Sequence, residues 1–80
     1  MLYFLSKSKT FNTKIKVLRT EKNITQEQLA TCIGVSRGTI LEIERGTFNP
    51  SLKLAFKIAQ YFNEKIDDIF ELEGYLNSED

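Results

Sequence analysis

Apolar positions recur at helical rather than strand spacing along most of the chain. From Lys14 to Lys22, Ile15 and Leu18 form an i, i+3 pair with Val17 beside them and lysines outside. Asn23 follows, a residue that tolerates the left-handed turn at a helix end. Thr25 and Gln28 make a Thr-x-x-Gln capping box opening a second helix, whose inner face is Leu29, Ala30 and Ile33 and whose end is Gly34. Val35 alone separates that glycine from Ser36, a good N-cap, so a third helix starts almost at once and runs from Arg37 to Arg45, stopping at Gly46. Ile40 and Ile43 define its inner side with Glu44 at the edge; Arg37, Gly38, Leu41, Glu42 and Arg45 lie on the opposite side.

Thr47-Phe48-Asn49-Pro50 reads as a loop, and the one proline of the chain falls there. Ser51 caps a fourth helix through Phe62. Its apolar face is broad, comprising Leu52, Leu54, Ala55, Phe56, Ile58, Ala59 and Phe62, with Lys53, Lys57 and Gln60 as the wet stripe. Asn63 ends it. A short fifth helix holds Ile66 to Phe70, with Asp67 and Asp68 in the first turn, where the helix dipole favours acids. Phe70-Glu71-Leu72-Glu73 then alternates apolar and acidic, the pattern of a short strand.

Eighty residues suffice for one domain and are too few for two independent cores. Cys32 is the only cysteine and there is no histidine, so neither an internal disulfide nor a zinc site can hold the fold, and an apolar core must. Leu2-Tyr3-Phe4-Leu5 is too short an apolar run to span a bilayer or serve as a signal peptide core. With a single cysteine, this points to a reducing cytoplasm. Eleven basic residues balance eleven acidic ones, yet they are not evenly spread. Residues 1–24 hold six basic side chains against one acidic, and residues 49–80 hold three against seven. Such a gradient is compatible with a polyanionic partner at the basic end and equally with two solvated faces.

Several fixed-spacing elements coincide: Thr25-Gln26-Glu27-Gln28-Leu29-Ala30, then Ile33-Gly34-Val35-Ser36-Arg37, Thr39-Ile40, Ile43-Glu44-x-Gly46 and Asn49-Pro50-Ser51-Leu52. From about Lys14 to Phe70 the chain resembles the Cro/repressor-type, lambda-repressor-like (XRE) helix-turn-helix regulators, in their short stand-alone form. The resemblance implies an all-α, compact five-helix domain, and the alternation after Phe70 leaves room for a short terminal β-ribbon. Residues 1–12 would be an N-terminal extension, residues 13–70 the DNA-binding domain and residues 71–80 an acidic tail that could supply a dimer strand. The extension could be an added strand, a basic arm for DNA or a misplaced translation start.

The same resemblance implies roles. Arg37, Gly38, Leu41 and Glu42 stand where relatives read bases: an arginine can take guanine O6 and N7 bidentately, a glutamate can accept from a cytosine amino group, and a leucine can pack on a thymine methyl. Gln26, Ser36, Thr39, Arg45, Thr47 and Asn49 fall at positions near the DNA backbone. Arg19 and Glu44 match a structural ion pair between the first and third helices. The implied partners are double-stranded DNA and a second copy of the chain, joined through Phe70, Leu72, Tyr75 and Leu76, with Phe11 or Tyr3 able to add to a ribbon. Phe70 has an alternative role covering the monomer's own core.

Three departures stand out: Gly38 where relatives carry a larger polar residue, Lys65 in place of a serine or threonine cap, and Asn63 in place of a glycine. No nucleophile, base and orienting group can be assembled into an enzyme site, and no cofactor or metal is implied. Cys32 falls on the solvent side of the second helix, where a redox-sensing thiol is a minor alternative. The rival function is a protein-interaction module or antitoxin with weak DNA binding, which the zero net charge, Gly38 and Glu42 favour.

Overall fold

Two short strands bracket the helices. The computed structural model describes residues 11–72. Strand β1 (Phe11–Thr13) pairs antiparallel with β2 (Phe70–Leu72), with Phe11 opposite Leu72 and Thr13 opposite Phe70. Between them lie α1 (Ile15–Glu21), α2 (Gln26–Ile33), α3 (Arg37–Arg45), α4 (Leu52–Phe62) and the single-turn α5 (Ile66–Ile69). β1 begins inside the segment read as an extension, and β2 reaches into the segment read as a tail, so the ribbon belongs to the folded unit.

Local chemistry sets the helix ends. The Thr25 hydroxyl accepts from the Gln28 backbone N–H at 3.0 Å, and the Gln28 side chain accepts from the Thr25 N–H at 2.8 Å, closing both halves of the capping box. Ser36 and Ser51 accept from the third residue of α3 and α4 in the same way. Gly34 (φ 90°) and Gly46 (φ 79°) close α2 and α3 in the left-handed region, where a Cβ would strain the backbone. Asn63 does the same for α4 at φ 57°, and Asn23 adopts φ 60° after α1. Lys65 makes no side-chain cap bond, and the helix it precedes is four residues long.

The core draws on every helix: Ile15, Leu29, Ile40, Ile43, Ile58 and Ile69 are essentially inaccessible. Burying an aliphatic side chain of this size contributes about 1.5–3 kcal/mol. These contacts hold α3 between α2 and β1, and the Phe11 N–H donates to the Gly46 carbonyl at the end of α3. The ribbon thus buttresses the end of that helix.

Two features refine the sequence reading. Leu52 and Phe56, assigned to the inner face of α4, are 70% and 53% exposed. Seven apolar residues in an eleven-residue helix exceed the stripe one face can bury, and the seats against the core go to Ala55, Ile58, Ala59 and Phe62. Phe70, named both for a dimer surface and for covering the monomer's own core, takes the second role: it is buried, with its ring edge-on to Phe11 at 5.8 Å between centroids. Leu72 lies in β2 opposite Phe11, while Tyr75 and Leu76 fall outside the described residues.

Beside this ribbon contact, the Thr13 hydroxyl oxygen is buried and has no hydrogen-bond partner among the described residues. An unmet buried hydroxyl costs about 1–3 kcal/mol. Thr13→Val keeps the β-branched shape, so we expect it to raise stability by about 1 kcal/mol in urea unfolding. A loss of stability would show that the hydroxyl has found a partner.

Candidate nucleic-acid interface

Helix α3 presents its N-terminal end outward. Arg37 and Gly38 are exposed, Leu41 and Glu42 are half-buried one turn on, and Arg45 is exposed at the far end. The Ser36 and Thr39 hydroxyls lie 3.0 Å apart while Ser36 also caps the helix, so both groups are engaged in starting α3. The Thr47 hydroxyl donates to the Glu42 carboxylate at 3.0 Å, drawing that carboxylate toward the loop after α3. Asn49 is exposed in the same loop.

Around Gly38 there is open space: an added Cβ would meet nothing nearer than the Ser36 oxygen at 3.8 Å. Glycine inside a helix costs about 1 kcal/mol relative to alanine. Gly38→Ala is therefore expected to stabilise the domain by about that amount in thermal or urea unfolding. If it gains stability but loses DNA affinity, then DNA requires close approach of the backbone at this point.

Behind α3 a part-buried polar network sets its orientation. Arg19 of α1 donates from Nε to Glu44 Oε2 at 2.7 Å and from Nη1 to the Ile24 carbonyl at 2.9 Å. Glu44 also accepts from the Gln26 amide at 3.0 Å. The Arg19 and Glu44 side chains are only 13% and 7% exposed. One carboxylate thus ties together α1, the first residue of α2 and the recognition face's own helix. Gln26 uses one amide N–H on Glu44 and retains a second. A cleft of about 480 Å³ opens beside this network, lined by Arg19, Asn23, Thr25, Gln26, Glu27 and Arg37 among others.

Two helices meet here across Gly34, Val35 and Ser36, with the second presenting its start to solvent; this is helix-turn-helix geometry. The helix-turn-helix family model matches residues 15–69, which is most of the chain. The chain belongs to the Cro/repressor-type helix-turn-helix family. An HTH-type transcriptional regulator of Archaeoglobus fulgidus is 59% identical over 58 residues, covering 72% of this chain and 82% of that protein. The cryptic phage CTXphi transcriptional repressor RstR of Vibrio cholerae is 37% identical over 59 residues, covering 74% of this chain and 53% of the repressor. Among solved structures, the restriction-modification controller protein C.AhdI from Aeromonas hydrophila is similar with a TM-score of 0.62 and 33% identity, covering 69% of this chain and 80% of that one. The protein is thus a transcriptional regulator with a DNA-binding helix-turn-helix domain, a class that is not enzymatic.

Two contacts of this helix-turn-helix domain escape the sequence pattern. The Lys57 ammonium, assigned to the wet stripe of α4, donates to the Ile33 carbonyl at 3.1 Å. It caps the end of α2 beside the turn that aims α3, where a cation is favoured. The contact joins positions 24 residues apart, beyond the reach of any local signal. Cys32 is exposed and shares a shallow cleft with Ile24 and Tyr61. Partial burial raises the Tyr61 phenol above its ordinary range, and the neighbouring Cys32 thiol raises it further. Among the described residues no helix is long and apolar enough to cross a membrane.

Proposed function

We propose that this regulator reads double-stranded DNA sequence-specifically as a homodimer on a two-fold-symmetric operator and acts chiefly as a repressor, occluding a promoter. The observation that carries this is an exposed Arg37 at the start of α3, on a helix held in place by the Glu44 network. The start of α3 enters the major groove, and the Arg37 guanidinium takes guanine O6 and N7. Leu41 packs on a thymine methyl, and Glu42 accepts from a cytosine amino group once Thr47 yields it or turns with it. Gly38 lets the helix backbone come close to the base edges.

Around this contact, Gln26 offers its second amide N–H to a phosphate at the start of α2. Ser36, Thr39, Arg45, Thr47 and Asn49 follow the sugar-phosphate backbone on the other side. One small domain makes few phosphate contacts, so useful affinity requires two copies. Their recognition helices would sit about 34 Å apart, in successive major grooves.

Selection from a randomised duplex library at moderate salt tests this with the intact protein. The expected product is a two-fold-symmetric site whose half-sites are about one helical turn apart. An enriched site without symmetry would overturn the homodimer. Failure to enrich any site would mean that the exposed face binds protein instead.

A further inference from the structure

Helix α4 carries its apolar surplus outward. Leu52 and Phe56 lie one turn apart on one face, at 70% and 53% exposure. Past Phe56 the face continues into a groove of about 490 Å³ between α4 and α5, with Ala59 and Ile66 in its floor. α4 also packs on α2 and on α5, which forms the far wall of this groove. Single exposed apolar residues are ordinary, but a contiguous apolar strip leading into a groove marks an interaction surface.

The charges along this strip are polarised. Lys53 stands beside Leu52 at its start, whereas Glu64 and Asp67 stand at the groove end with Lys65 between them. A two-fold contact joins a surface to itself, so each end of one copy meets the other end of its partner when the helices run antiparallel. Lys53 of each copy then faces the Glu64 and Asp67 end of the other.

We propose that the α4 face centred on Leu52 and Phe56 docks a second copy of this chain, with the two α4 helices antiparallel across a two-fold axis. This rests on the homodimer reading and gives it a face other than the terminal residues first considered. Charge selects the occupant. Residues 1–10 hold Lys7 and Lys9 and no acid, so as a cover they would leave Lys53 facing lysines. Residues 73–80 hold Glu73, Glu79 and Asp80 and no base, so they would set acids against Glu64 and Asp67. A second copy satisfies both ends at once.

Sedimentation of the full-length chain without DNA, at micromolar concentration, tests the proposal. The intact protein is expected to be a dimer, and Phe56→Glu to raise its dissociation constant by roughly thirtyfold or more with an unchanged circular dichroism spectrum. Lys53→Glu and Glu64→Lys are each expected to weaken the dimer, and the two together in one chain to restore it, because the swapped charges meet across the axis. A monomeric intact chain, a dimer indifferent to Phe56→Glu, or a double variant weaker than either single variant would overturn the proposal. As no DNA is present, any of these leaves the Arg37 contact to be judged by its own experiment.

Discussion

Arg37→Ala is expected to lower affinity for the selected operator by about 2–6 kcal/mol, the sum of one bidentate guanine contact of about 1–3 kcal/mol in each half-site. The smaller figure is already roughly a thirtyfold weakening. Arg37 is exposed and has no ion-pair partner among the described residues, so the unfolding free energy should stay within about 0.5 kcal/mol of the intact protein's. Because the contact is to a base, the salt dependence of binding should barely change, whereas Arg45→Ala should reduce the salt slope by about 1 per half-site. Arg37→Lys should not restore affinity, since an ammonium cannot reproduce the planar fork. Fluorescence anisotropy at three salt concentrations, on the selected duplex and on one with the guanine replaced, separates these effects. If Arg37→Ala lost only salt-dependent affinity, equally on both duplexes, the arginine would be a phosphate contact.

Glu44→Leu is expected to be the most damaging single change to stability, at about 3–5 kcal/mol. It strands the Arg19 guanidinium in a site only 13% exposed and removes the acceptor of the Gln26 amide. A domain of this length has about 4–12 kcal/mol in total, so a large share of molecules would be unfolded near the warm end of its range. Adding Arg19→Met should recover most of the loss, because the buried charge is then gone rather than unpaired. Urea titrations of the single and double variants measure both. A single-variant loss below about 1 kcal/mol would place the pair among solvent-screened surface bridges. The DNA readout of the double variant is equally informative: with Gln26 released, the start of α2 loses its tether while the fold is retained.

Local chemistry made the helices legible in the sequence. Thr25 with Gln28, Ser36 and Ser51 are caps whose partners lie three residues away, and Gly34, Gly46 and Asn63 are residues that accept positive φ, so the helix ends are written in short range. The same logic covers α3, whose outward face follows from Ile40 and Ile43 pointing in. What stayed hidden depends on tertiary placement. Leu52 and Phe56 share the periodicity of core residues, and only the positions of α2 and α5 decide that Ala55, Ile58, Ala59 and Phe62 take the buried seats instead. Whether Phe70 covers the monomer's own core or a dimer surface is decided by its aromatic partner, Phe11, which lies 59 residues earlier. At the candidate site, the outward Arg37 and the inner-edge Glu44 follow from the helical pattern, whereas the pairing of Arg19 with Glu44 is what the family resemblance implies. The link from Gln26 to Glu44 and the cap of Lys57 on Ile33 join residues 18 and 24 apart, and no spacing rule points to either.

Guanine N7 lies in the major groove and reacts with methylating reagents, so its protection reports directly on a side chain docked there. The most direct test of the proposed reading is methylation protection of the selected operator by the intact protein and by Arg37→Ala, each at a concentration that saturates the site. With Arg37 at the start of α3 reading the groove, one guanine in each half-site is protected by the intact protein and becomes reactive with the variant, while the rest of the footprint persists. Protection that is identical for both proteins, or absent from the major groove altogether, would contradict it.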